Sequence, residues 1–254
     1  NATTGTVSDT TLTVDQTASL VTGVTSSKLD GTYKANDLIP VIVFFDNKVF
    51  VTGSPFITLE TGEDDDDIIY SSGTGTVALK FNYTVSSGDT TSDLAYKSVN
   101  SLNLNGGTIR DIAGNPSTLT LFSPGDSGSL SYAKDLNVDT TAPTISTSSI
   151  ASDNSTVTLA KTGDTVTLTI ATNEDVSSPT VTFTSGGDAA NNADTVSGSS
   201  PGTSFTSAYT INASDTDGTV AISITATDVV GNQTTAFTTI SAGSVTVDQT
   251  APAS

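Results

Sequence analysis

Thr165-Val166-Thr167-Leu168-Thr169-Ile170 puts an apolar residue at every second position and Thr at each position between. Successive side chains of a strand point to opposite faces, so this run predicts one buried face and one hydrated face. Thr suits the hydrated face, because its β-branched side chain fits a pleated surface and hydrogen-bonds without charge. Val220-Ala221-Ile222-Ser223-Ile224 and Val77-Ala78-Leu79-Lys80-Phe81-Asn82-Tyr83 alternate in the same way. Turn clusters separate such runs: Gly53-Ser54-Pro55, Ser87-Gly88-Asp89, Asn105-Gly106-Gly107, Gly186-Gly187-Asp188 and Asp217-Gly218. Short strands with frequent turns predict an all-β chain built of antiparallel sandwiches.

An internal repeat sets the domain count. Val14-Asp15-Gln16-Thr17-Ala18-Ser19 returns as Val138-Asp139-Thr140-Thr141-Ala142-Pro143 and as Val247-Asp248-Gln249-Thr250-Ala251-Pro252. Asp37 to Val49 (DLIPVIVFFDNKV) aligns without a gap on Asp164 to Val176 (DTVTLTIATNEDV). Asp111-Ile112-Ala113-Gly114-Asn115 matches Asp228-Val229-Val230-Gly231-Asn232, and Tyr83 and Tyr209 match ahead of Asp89 and Asp215. Two units are therefore expected, 15–138 and 139–247. Residues 1–14 read as the last strand of a preceding unit and 248–254 as the start of a following one. No leader peptide is legible at Asn1, so the chain reads as processed or cut from a longer array.

Composition excludes several functions. The 254 residues carry 27 Asp plus Glu against 8 Lys plus Arg, a formal charge of −19, with no His, Cys, Met or Trp. Such a surface cannot supply the basic face that phosphate binding needs, so no nucleic-acid partner is expected. No run approaches the length of a membrane span, so no membrane insertion is expected. Absent His and Cys remove thiolate and imidazole metal sites, disulfides and the Ser–His hydrolases. Paired carboxylates could in principle make a glycosidase, but nothing pairs an apolar-pocket acid with a second carboxylate, and no enzyme is expected.

The VDxTAP junctions, the DxxGN motifs and the Asp-Gly, Tyr and Lys opening of the first unit (Asp30-Gly31, Tyr33, Lys34) resemble bacterial immunoglobulin-like repeats. These are tandem repeats of large secreted adhesins and other cell-surface proteins. The resemblance implies an extracellular location at the bacterial cell surface and junctions rigidified by calcium. The family's usual Phe-Ser-Glu-x-Val stretch reads Phe45-Asp46-Asn47-Lys48-Val49 in the first unit, so Asn47 replaces the expected Glu, whereas the second unit keeps Glu174.

Topology then places the chemistry. In an immunoglobulin-type sandwich the chain enters at one pole, and the B–C and F–G loops return there. Asp139, Asn173, Glu174, Asp175, Asp228 and Asn232 should converge at the entry pole of the second unit. Asp15, Asp46, Asn47, Asp111 and Asn115 form the equivalent set in the first. Carboxylates and amide carbonyls meeting without a cation repel, and hard oxygen ligands from irregular loops suit Ca²⁺. The competing reading is that these residues only form Asx-turns. A second acidic group, Asp37, Asp89, Asp164, Asp215 and Asp217, should lie at the opposite pole. The run Glu63-Asp64-Asp65-Asp66-Asp67 reads as a solvated tip between strands, because consecutive carboxylates cannot all converge on one ion.

The leading functional expectation is a non-enzymatic structural segment, a calcium-stiffened stalk or surface layer whose partners are adjacent repeats of the same chain. Its rival is an adhesive module for glycan or another surface protein, carried mainly by the first unit. That unit holds seven of the eight basic residues, most of the aromatics and an extra segment, Leu119 to Tyr132, expected as an inserted hairpin. Stacking faces for a glycan could come from Tyr33, Tyr70, Tyr83, Tyr96, Tyr132 or Tyr209. A third possibility is strand addition between chains at open sheet edges.

Overall fold

A computed structural model describes residues 14–190 and 195–250. The readings of 1–14 and 248–254 as parts of neighbouring repeats fall mostly outside these residues. The chain divides into two compact units, 1–139 and 140–254.

The second unit shows the architecture in its simpler form. One sheet orders β12 (Ile145–Ser152), β14 (Thr165–Val176), β18 (Gly202–Thr210) and β17 (Thr195–Ser197) side by side. The other orders β13 (Leu159–Ala160), β20 (Thr246–Val247), β19 (Gly218–Thr225), β15 (Thr180–Ser185) and β16 (Asp188–Ala189). With strands lettered A to G along the chain, these sheets are A-B-E-D and A′-G-F-C-C′. The first strand crosses from one sheet to the other through β13, which runs parallel to β20. This is the immunoglobulin-like sandwich. Its core follows from the alternation. Val166, Leu168 and Ile170 are completely buried, while Thr167 and Thr169 between them are exposed. Each such side chain stabilises the fold by roughly 1.5–3 kcal/mol relative to an exposed one.

The first unit repeats this plan with insertions. Its strands are β1 (Val21–Ser26), β2 (Gly31–Tyr33), β3 (Leu38–Thr52), β4 (Phe56–Glu60), β5 (Asp66–Ser72), β6 (Thr76–Thr84), β7 (Thr90–Thr91), β8 (Ala95–Tyr96), β9 (Leu102–Asn103), β10 (Thr108–Asp111) and β11 (Leu136–Asp139). One face begins β1-β3-β6-β5, the A-B-E-D order again, but here the sheet continues, because β5 pairs with β4 and β10 pairs with β3. On the other, β2 runs parallel to β11, β11 pairs with β7, and β8 and β9 pair with β4. Strand F is thus broken into short pieces where the second unit has one strand.

Leu119 to Tyr132 forms no hairpin, contrary to expectation. It runs irregularly to Ser129 and then makes a single turn, α1 (Leu130–Ala133), capped by the Ser129 hydroxyl accepting the Tyr132 amide at 3.2 Å. Pro124, Gly125 and Gly128 interrupt any ladder, and the burial of Leu121 and Leu130 holds the segment down instead. The Tyr96 hydroxyl donates to the Phe122 carbonyl at 2.6 Å, and burial pushes that hydroxyl's pKa up to about 12.

Tyr83 and Tyr209 occupy matching buried positions at the ends of β6 and β18. Tyr83 donates to Asp89 Oδ2 at 2.5 Å, and Asp89 also accepts the Ser86 amide at 2.7 Å. Burial first, then the bond to Asp89 and its charge, raise the Tyr83 hydroxyl well above the ordinary tyrosine range.

Candidate metal-binding pole

The pole is built from the far end of strand B. In β3, Ile39, Val41, Val43, Phe45 and Val49 are buried, but Asp46, Asn47 and Lys48 are exposed. The pairing of β3 with β6 slips between Phe44 and Val49, and that of β14 with β18 slips between Ala171 and Val176. Each slip leaves four residues without a partner on strand E, Phe45 to Lys48 in one unit and Thr172 to Asp175 in the other, and the last three of each form a polar triplet. Such interruptions re-aim side chains at a sheet's rim.

The first residue of each triplet clasps the start of strand A. Asp46 Oδ1 accepts the Leu20 amide at 2.8 Å, and the Asp46 amide donates to the Leu20 carbonyl at 3.0 Å. Asn173 makes the same pair of bonds with Thr144, at 2.6 and 3.1 Å. These two residues therefore act as backbone clasps.

The D-x-x-G-N motif explains itself as a closed loop. Asp228 Oδ1 accepts the amides of Val230, Gly231 and Asn232 at 2.8, 2.6 and 2.8 Å, and Oδ2 accepts Asn232 Nδ2 at 2.8 Å. Gly231 sits at φ 102°, in the left-handed region that a side chain disfavours. Asp111 is held the same way, with Oδ1 accepting the Asn115 amide at 2.8 Å and Oδ2 accepting Asn115 Nδ2 at 2.9 Å. Asn115 Nδ2 also reaches the Asp15 carbonyl at 3.1 Å. The two Asn residues thus present amide nitrogen to the aspartates and orient the loop.

What remains is the carboxylates themselves. One carboxylate oxygen from each of Asp139, Glu174 and Asp228 lies within 4.8 Å of the others. The equivalent positions in the first unit, Asp15, Asn47 and Asp111, line a cavity of about 310 Å³ together with Lys48 and Ile112. Asp175 is exposed and stands outside the carboxylate trio.

Two unit charges at this separation repel by about 1 kcal/mol in water and roughly 3 kcal/mol at the effective dielectric of a protein rim. The second unit's one basic residue, Lys161, belongs to the other end of β14, where its amide donates to Asp164 at 2.9 Å. The trio offers only hard oxygen, and Asp228 Oδ2 accepts one hydrogen bond where Oδ1 accepts three. That donor chemistry fits a Ca²⁺-like cation, which takes six to eight oxygens, including water, in flexible geometry. Lys48 was missed in the sequence. The signal was a basic residue inside an acidic triplet, at the position that Asp175 holds in the other unit.

Most of the other acidic groups serve local turns, while Asp217 bonds the distant Gln249. Asp37 and Asp164 accept the amides of Lys34 and Lys161, and Asp215 accepts that of Asn212. The run from Glu63 to Asp67 lies between β4 and the start of β5, with Glu63, Asp64 and Asp67 exposed. Asp65 pairs with Lys97, Asp66 accepts the Ser86 hydroxyl at 3.4 Å, and Asp67 accepts the Thr58 hydroxyl at 2.6 Å.

Asp111 yields a pH prediction. Burial raises its pKa, but the Asn115 side chain and the amides of Asn115, Ala113 and Gly114 outweigh this and hold it below the ordinary 3.8. A depressed folded-state pKa contributes stability above the unfolded value and loses it as pH falls through the folded one. Asp111→Asn should therefore lower the first unit's melting midpoint at pH 6, with the gap to wild type closing as pH falls below the ordinary carboxylate range. Melting curves from pH 6 down through that range check it.

No family model matches the chain, and no curated protein matches it. Among solved structures, the chain is similar to titin domains Z1Z2 in complex with telethonin at 11% identity, covering 93% of this chain and 98% of that one, with a TM-score of 0.28. Bovine butyrophilin gives 8% identity, 87% and 98% coverage, and a TM-score of 0.27. The mouse nectin-like molecule 4 ectodomain gives 12% identity, 91% and 64% coverage, and a TM-score of 0.27. At such scores these likenesses carry no argument, and the immunoglobulin-like assignment rests on the strand order within each unit.

Proposed function

We propose that this chain is a non-enzymatic spacer segment of a bacterial extracellular adhesin or surface-layer protein, stiffened by Ca²⁺ where one repeat passes into the next. The observation that carries the reading is the carboxylate trio Asp139, Glu174 and Asp228. As the VDxTA junction divides the sequence, all three belong to the second repeat, with Asp139 at its opening. Calcium held by all three would supply charge neutralisation and a restraint on the connection. Asn173 and Asn232 would position the loops that carry the ligands, as their hydrogen bonds already do. High negative charge would keep neighbouring arrays apart in solution.

The placement of most aromatics favours a spacer over an adhesive face, although Phe44 and Phe50 on β3 are exposed. Phe45, Phe81, Tyr83 and Tyr96 are buried in the first unit's core, and Tyr209 in the second's. The Tyr33 hydroxyl donates to the Leu29 carbonyl, and the Tyr70 hydroxyl accepts the Thr74 amide. Of the six tyrosines weighed as stacking faces, Tyr132 alone is largely exposed, at 63%.

Small-angle X-ray scattering with calcium and with chelator tests the stiffening. Calcium should narrow the distribution of overall dimensions, with magnesium giving the chelator profile. Superimposable profiles in all three conditions would refute it.

A further inference from the structure

The resemblance that suggests calcium implies it at both poles, but the first unit's residues do not fit the ion. Where the second unit brings Asp139, Glu174 and Asp228 together, the first has Asp15, Asn47 and Asp111. Asn47 removes one charge. Lys48, in the position of Asp175, borders the cavity that Asp15 and Asp111 line. The first cavity is therefore lined by two carboxylates, an amide and an ammonium, while the second unit brings three carboxylates together.

We infer that the first unit's pole is a metal-independent version of the second's, with Lys48 supplying the positive charge that calcium supplies in the second. The inference rests on the calcium reading above and adds to it that the two poles differ in kind. A divalent cation entering the first cavity would meet two carboxylates instead of three and the repulsion of a neighbouring ammonium, and a Lys head group needs no dehydration to remain there. The rest of the loop machinery is unaffected. The Asp111–Asn115 and Asp46–Leu20 bonds match their counterparts at Asp228–Asn232 and Asn173–Thr144. Conservation of the scaffold alongside replacement of the ligands points to a pole that keeps its shape but has exchanged its means of neutralisation. A tandem array built from both kinds of pole would have joints that respond to calcium and joints that do not.

Isothermal titration calorimetry of the intact, chelator-treated chain with Ca²⁺ tests this, with circular dichroism as the check on folding. The expected stoichiometry is one ion per chain. The double variant Asn47→Glu/Lys48→Asp, altering two exposed positions, should bind two. The reciprocal Glu174→Asn/Asp175→Lys should bind none. Two ions on the wild-type chain would overturn the inference while leaving the calcium reading intact. No binding at all would overturn the calcium reading itself. A double variant that folds and stays at one ion would show that Asn47 and Lys48 are not what excludes the cation, and would overturn the inference.

Discussion

Asp228→Ala should destabilise the second unit in chelator, before any metal enters the question, by about 2–4 kcal/mol. Three backbone amides donate to one oxygen of Asp228, the Asn232 side chain donates to the other, and the aspartate is only 4% exposed. Alanine leaves all four donors without that acceptor. Water can reach some of them, since Val230, Gly231 and Asn232 are only partly buried, so the full desolvation cost is not incurred four times. For a unit of this size the loss corresponds to a fall of roughly 10–20 °C in its melting midpoint. Asp228→Asn keeps one acceptor oxygen in the same place and should cost about 1 kcal/mol. Calorimetric scans of both variants in chelator check the pair. Equal, small shifts would mean that the loop is held by its flanking strands and not by the aspartate.

Glu174→Gln is the complementary change. Its carboxylate belongs to the trio, and its backbone carbonyl accepts the Thr172 hydroxyl at 2.7 Å, a bond that Gln retains. In chelator the variant should melt at or above wild type, because Gln removes a half-buried charge that repels Asp139 and Asp228. In calcium it should lose most of the ion's stabilisation. A ligand present at a hundred times its dissociation constant stabilises by about 2.7 kcal/mol, so the wild-type advantage should reach roughly 10 °C or more. Together the two substitutions separate the aspartate that builds the loop from the glutamate that serves the ion.

Much of this was legible in the sequence because β-structure writes its burial with a period of two. The Thr-Val-Thr-Leu run specified which residues of β14 enter the core, and the repeated VDxTA and DxxGN motifs marked equivalent points of two sandwiches. Sandwich topology brought Asp139, Glu174 and Asp228 onto one list. What stayed illegible depended on distance. Residue type alone does not tell a carboxylate that faces a cavity from one that accepts a neighbouring amide, so the hydrogen bonds that Asp46, Asn173, Asn115 and Asn232 make to strand A and to the aspartates were not legible. Nor did the pattern reveal the fate of Leu119 to Tyr132. An insertion of that length suggests a hairpin, and only the burial of Leu121 and Leu130 beneath irregular backbone distinguishes it. Lys48 was visible as a lone positive charge, but its significance required the cavity it borders.

The most direct test is the thermal unfolding of the unmodified chain as free Ca²⁺ is raised, with Mg²⁺ at equal concentration and chelator as baseline. The account predicts that the second unit's transition climbs by several degrees or more with Ca²⁺ alone, while the first unit's transition stays where it was. Midpoints that do not move with Ca²⁺, or that move equally with Mg²⁺, would contradict it.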